Sequence, residues 1–222
     1  FDEGEYKRFA FLKDHVERNP LTDKLTLPLT VDEMLSQVFY RKDPETTKTV
    51  IKGESNKGVT ELVSSGEIFT TSMKDLFTDV NIYDNECRLL QFPFKSPIAD
   101  NAISFYRYYI QDTIYIDKDK VVDVGFQPNN LQDLGFTGHL FIILDPDSTF
   151  QVRKVELNIP RRTDVNFVEN MIITQDYVQL ENGSRIPAVN DVLVELRASK
   201  WLGKFQVQRL SRITDVSFNE IP

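Results

Sequence analysis

Histidine, cysteine and clustered carboxylates are the residue types that most directly carry chemistry, and they are sparse in this chain. His15 and His139 are the only histidines, and no His-Glu-x-x-His spacing accompanies either, so a catalytic zinc would have to be held by carboxylates. Cys87 is the sole cysteine, which excludes an internal disulfide and any thiolate-based zinc cluster; it reads as a buried small hydrophobe. No Gly-x-Ser-x-Gly elbow is present to present a nucleophilic serine, and neither a Gly-x-Gly-x-x-Gly run nor a phosphate-binding P-loop occurs. Asp117-Lys-Asp119 and Asp145-Pro-Asp147 space carboxylates alternately, as calcium loops do. Both lack the glycine and distal glutamate of the complete loop and read as solvated hairpin turns. No catalytic residue, metal site or cofactor is expected.

The most suggestive run is Phe105-Tyr-Arg-Tyr-Tyr109. A strand period of two puts Tyr106 and Tyr108 on one face, with Phe105 and Tyr109 on the other. A strand covered on both sides, its hydroxyls finding partners at the rim, accounts for this pattern; a face lining a groove for an apolar or sugar-like ligand is the sharper reading. Tyr106, Tyr108, Phe141 and Trp201 are the candidate ligand-lining residues, Trp201 as a lid over a sheet end or a partner contact.

The elements that must position these residues are mainly strands. Val122, Val124 and Phe126 alternate against Asp123, Gly125 and Gln127, the mark of a half-buried strand. Residues 138–144 form a short apolar run ending at the turn-forming residues 145–149. Phe150 and Val152 alternate, the phase slips at Arg153-Lys154, and Val155, Leu157 and Ile159 resume it, which predicts a β-bulge. Further strands are expected over 171–180, 191–198 and 205–218, with Val192, Val194, Leu196, Phe205, Val207, Val216 and Phe218 inward.

Earlier in the chain, residues 5–18 predict a short amphipathic helix or equally a tether to a preceding domain; 33–40 reads as helix or strand, with Val38, Phe39 and Tyr40 favouring strand; 46–52 predicts a strand and 53–58 a loop. Residues 81–85 read as extended and 92–97 as a proline-stiffened link. Residues 59–80 carry apolar side chains at three- and four-residue intervals, predicting helices that cover the sheet. The expected fold is α+β, a single domain over 1–222. It comprises a mainly antiparallel curved sheet or half-barrel of roughly eight to eleven strands, a meander over 102–218, and a helical insertion as cover.

At 222 residues the chain is long enough for a substantial core, and 41% hydrophobic against 27% charged residues is a globular composition. A net charge of -8 argues against nucleic acid, whose phosphates need a cationic surface. No run of about 18 apolar residues exists to span a membrane as a helix. The sequence opens at Phe1 without methionine or signal peptide, as a processed product or a piece of a longer protein would.

An ordered series of short strings carries a family resemblance: Leu27-Pro-Leu-Thr30 with Glu33, Phe39-Tyr-Arg41 with Pro44, Ile82-Tyr-Asp-Asn85, and Phe94-Lys-Ser-Pro97 with Phe105-Tyr106 and Tyr108. Val124-x-Phe126-x-Pro128, Phe136-x-Gly138, Thr149-Phe150 and Asn166-Phe-Val168 complete it. Over about residues 25–180 the chain resembles the uncharacterised middle-domain family of Gram-negative outer-membrane proteins that also carry a carboxypeptidase-regulatory-like β-sandwich. The resemblance implies a periplasmic module, attached to the outer membrane through other parts of a longer protein, with neighbouring domains of that protein as partners. A looser fold-level likeness to periplasmic lipoprotein carriers points to a lipid or other apolar envelope ligand. The function expected is a non-enzymatic module binding such a ligand or a partner segment, with a purely structural spacer as the alternative and a hydrolase as the weakest reading.

Overall fold

A computed structural model describes residues 16–19, 22–26, 30–58, 79–89, 92–130, 132–144, 150–159, 168–199 and 203–218. They fall into two compact units, one within Phe1–Thr70 together with Phe218, the other within Thr71–Ser217.

In the first unit, β1 (Glu17–Arg18) pairs with β2 (Leu25–Thr26), and β3 (Thr30–Arg41) pairs antiparallel with β4 (Thr46–Gly58). The long hairpin turns at Asp43-Pro44, whose peptide bond is cis. Residues 53–58, expected as a loop, continue β4. In an exposed two-stranded ribbon few positions need bulky packing, so Gly, Ser, Asn and Lys are tolerated there.

The second unit is built on a seven-stranded antiparallel meander, each strand hydrogen-bonded to its sequence neighbour: β7 (Tyr106–Ile116), β8 (Asp119–Pro128), β9 (Thr137–Ile143), β10 (Val152–Asn158), β11 (Val168–Gln179), β12 (Arg185–Ser199) and β13 (Gly203–Arg212). The predicted phase slip is present, since the β9–β10 register shifts between Val152 and Lys154. That bulge aims the buried Arg153 at the β7–β8 turn, where its Nη2 meets Asp117 Oδ2 at 2.8 Å and its Nε meets Asp119 Oδ2 at 3.3 Å. Of the two carboxylate pairs spaced like a calcium loop, Asp117 and Asp119 are thus engaged by a guanidinium, and Asp145 and Asp147 lie outside the described residues.

One face of this sheet is apolar. Met171, Ile173 and Tyr177 of β11 alternate with half-exposed neighbours, and Leu140, Val155, Leu157, Val192 and Val194 join them in one core cluster. The cover is the hairpin of β5 (Glu86–Leu89) and β6 (Phe92–Lys95) with its flanks, which contribute Val80, Ile82, Cys87, Leu89, Phe94 and Ala102.

This corrects the α+β expectation. Among the described residues the fold is nearly all β, with one four-residue helix, α1 (Ala102–Phe105), where strand was expected. Residues 59–78 lie outside the described residues, and Asp79 and Val80 are irregular. The linker-helix expectation fails at its end, because Glu17–Arg18 is strand; residues 1–15 are outside the described set. Residues 81–85 form a turn in which Asn81 Oδ1 accepts from Tyr83 N–H at 3.1 Å, the local bond that asparagine offers in place of extended pairing. Residues 92–95 are strand because Pro93 sits in a two-stranded hairpin, where a missing N–H is affordable. Residues 213–217 are irregular, and Val216 and Phe218 are exposed, not inward.

Candidate functional site

The aromatic run is distributed over both faces of the sheet. Left-handed Asn101 (φ 60°) precedes α1, which hands the chain directly to β7, so Tyr106 begins the edge strand facing the core. Its ring packs edge-on to Phe126 at 5.5 Å and to Phe105 at 4.8 Å. Its hydroxyl donates to the Lys95 carbonyl and accepts from the Phe136 amide at 3.1 Å. Tyr108, on the same face, donates its hydroxyl to the Pro97 carbonyl at 2.8 Å. Burial drives the Tyr106 phenol well above its ordinary value and pushes Tyr108 up to about 12. Both hydroxyls therefore act as neutral clamps on the backbone of residues 95–97.

Phe141 is on the opposite face. Pairing sets it beside Asp123 and Lys154, its ring stacks on His139 at 6.2 Å, and Lys154 Nζ lies 5.4 Å from its centroid. The sheet itself stands between Phe141 and the tyrosine pair, so these three do not line one cavity. Trp201 lies outside the described residues.

The outer face carries a concavity that the sequence reading did not name as a site. Tyr109, Gln111, Gly125, Gln127, Thr137, Gly138, His139 and Asn158 line an open groove of about 430 Å³ across β7 to β10. Two glycines thin its floor. A Cβ on Gly138 would stand 1.8 Å from the Glu156 carbonyl oxygen, and one on Gly125 would stand 2.8 Å from Gln111 Nε2. His139 Nδ1 hydrogen-bonds Asp123 Oδ1 at 2.7 Å, and Gln127 Nε2 reaches the Tyr109 hydroxyl at 3.5 Å. The half-exposed His139 has Asp123 as its hydrogen-bond partner. His15 lies outside those residues. Among them, no cluster of three or more His, Cys, Asp or Glu is placed to hold a metal.

The sequence signal for this groove was the alternation of Asp123, Gly125 and Gln127. Locating it also needed the register that sets Gly125 opposite His139, which one strand cannot supply.

No curated protein and no solved structure matches the chain. A family model does match, over residues 7–208, nearly the whole sequence. The chain belongs to the Family of unknown function (DUF5686).

Proposed function

We propose that the chain is a non-catalytic, self-filled scaffold module of a larger envelope protein, held on the periplasmic side of the outer membrane and spacing the domains around it. The observation that carries this reading is the use of the tyrosine pair. A carrier for an apolar ligand needs an unfilled apolar face, whereas Tyr106 and Tyr108 pack against Phe126 and spend their hydroxyls on the carbonyls of Lys95 and Pro97. The helical lid of a carrier has its counterpart here in the β5–β6 hairpin, which fills the apolar face with its own side chains.

Native mass spectrometry of the purified chain, followed by solvent extraction, tests this. The expected result is a mass equal to the polypeptide alone. A reproducible lipid or other apolar adduct, lost on changing Tyr106 and Tyr108 to charged residues in a chain that remains folded, would replace the scaffold with a carrier.

A second reading rests on the outer-face groove. An aromatic wall at Tyr109, amides at Gln111, Gln127 and Asn158, and the His139–Asp123 pair suit a small hydroxyl-rich ligand such as a sugar. Saturation-transfer NMR with mono- and oligosaccharides, repeated on Tyr109→Ala, is the measurement; no transfer would remove this reading and leave the scaffold unaffected.

A further inference from the structure

We infer that two copies of this chain associate through antiparallel pairing of β3 with β3 about a two-fold axis at Gln37. Among the described residues β3 is hydrogen-bonded on one side only, to β4. Its middle is apolar and uncovered, with Met34 63%, Leu35 69% and Val38 58% exposed. A twelve-residue strand with one edge unpaired among the described residues and such side chains is a template for another strand, and a two-stranded ribbon is marginal in water without one.

The edges of the other long strands are blunted. In β4 the register with β3 slips between Leu35 and Ser36, leaving Lys52 as the extra residue of a bulge, and Lys48 stands further along the strand. A bulge and lysines are the usual defences of an edge. The β7 edge is interrupted by a bulge at Gln111, and β13 carries Arg209 and Arg212. Within β3 there is no lysine and no break of this kind.

Charge selects a second copy as the occupant. Asp32 and Glu33 stand near the start of β3, and Arg41 closes it with Lys42 next in sequence. Antiparallel pairing centred on Gln37 puts Glu33 opposite Arg41 of the second copy and Asp32 opposite Lys42 of the second copy, and the two-fold axis repeats both pairs. The same register sets Met34 opposite Tyr40, Leu35 opposite Phe39 and Ser36 opposite Val38. Unlike charges then meet at both ends and apolar side chains in the middle, the self-complementarity an isologous interface requires. Asp32 already accepts from Asn56 across the hairpin and Arg41 Nε donates to the Pro44 carbonyl at 3.4 Å, contacts that hold these two side chains near the strand.

Sedimentation velocity on the 222-residue chain, at concentrations up to about 0.1 mM where weak isologous contacts are populated, should show a dimer; a monomer throughout overturns the inference. Asp32→Lys/Glu33→Lys and, separately, Arg41→Glu/Lys42→Glu place like charges at every end pair. Each should weaken association by about tenfold or more, with an unchanged circular dichroism spectrum. An equimolar mixture of the two variants restores every unlike pair and should dimerise again. Dimers that persist in either variant alone, or a mixture that stays monomeric, overturn it. Gln37→Cys should form an intermolecular disulfide on mild oxidation, since opposed residues in antiparallel strands lie within bridging distance. Cross-linking through Ile51→Cys instead would assign the contact to β4 and reject the β3 interface.

Discussion

The Phe136 amide donates to the Tyr106 hydroxyl across 3.1 Å, and that same hydroxyl donates to the Lys95 carbonyl. One phenol thus ties the start of the edge strand to β6 and to the segment entering β9, at the point where Lys95 and Gly135 form an isolated parallel bridge. Phe136 is fully buried.

Tyr106→Phe keeps the ring and its aromatic neighbours while removing both bonds. Losing both hydrogen bonds at the edge of the core should cost about 1–3 kcal/mol, read as a lower urea midpoint with an unchanged slope. Tyr108→Phe is the internal comparison. Its single bond is to the Pro97 carbonyl at the margin of the core, so a loss near the lower end of that range is expected.

Gln175 is a polar residue inside the apolar face, 1% exposed. Its Nε2 donates to the Val80 carbonyl at 2.7 Å and its Oε1 accepts from Tyr177 at 2.9 Å. Gln175→Leu keeps much of the volume but orphans both partners. It should destabilise by about 1–3 kcal/mol, whereas Gln175→Leu combined with Tyr177→Phe should recover part of that loss. The recovery is the diagnostic, because it separates the unsatisfied hydroxyl from simple misfit.

The meander and the bulge at Arg153 were legible because strand alternation and a one-residue phase slip are local patterns. So was the inward set Val192, Val194 and Leu196. The cover of the sheet was not legible. Ile82, Cys87, Leu89 and Phe94 lie in short segments interrupted by Pro93 and by the asparagine-led turn. Four-residue strands offer too few periods to register as a pattern. That Phe141 lies on the face opposite Tyr106 and Tyr108 was hidden for a related reason. Tyr106, Tyr108 and Phe141 are each in a recognised strand, but which face Phe141 shares with the tyrosines depends on pairing across β8, and a step of one residue reverses it.

Glycine positions give a sharper contrast. A methyl on Gly138 would collide with backbone, the Glu156 carbonyl oxygen at 1.8 Å, and backbone of a paired strand has little room to yield. Gly138→Ala should therefore cost about 1–3 kcal/mol or more and disturb the groove floor, visible as shifted amide resonances of His139 and Gly125. Gly53 has nothing within 4 Å of the corresponding position. Gly53→Ala should leave stability unchanged or raise it by about 0.4–1 kcal/mol through the unfolded chain. Equal effects at the two sites would contradict the packing described for β9 and β10.

Alkaline titration addresses the buried acids of the covered face. Burial, with the Asp84 carboxylate as a lesser cause, pushes the Cys87 thiol up to about 11 from its ordinary 9.0; burial raises Tyr108 from 10.0 to about 12 and raises Tyr106 and Tyr177 further. Each group holds its proton more tightly folded than unfolded, so between the two values the folded state binds more protons and stability falls as pH rises. For Cys87 the loss begins near 9 and runs to about 11; for Tyr108 it runs from 10 to about 12. Below pH 9 these groups add no slope. The expected observation is a urea midpoint insensitive to them up to pH 9 that then declines steadily. The Cys87 thiol should also resist a soluble disulfide reagent at pH 8 until denaturant is added, because it is 3% exposed, protonated, and donates to the Asn81 carbonyl at 3.3 Å. Rapid labelling of the native chain at pH 8 would mean that the β5–β6 hairpin opens from the sheet on the timescale of the reaction, and the self-filled scaffold would have to be reconsidered as a cover that moves.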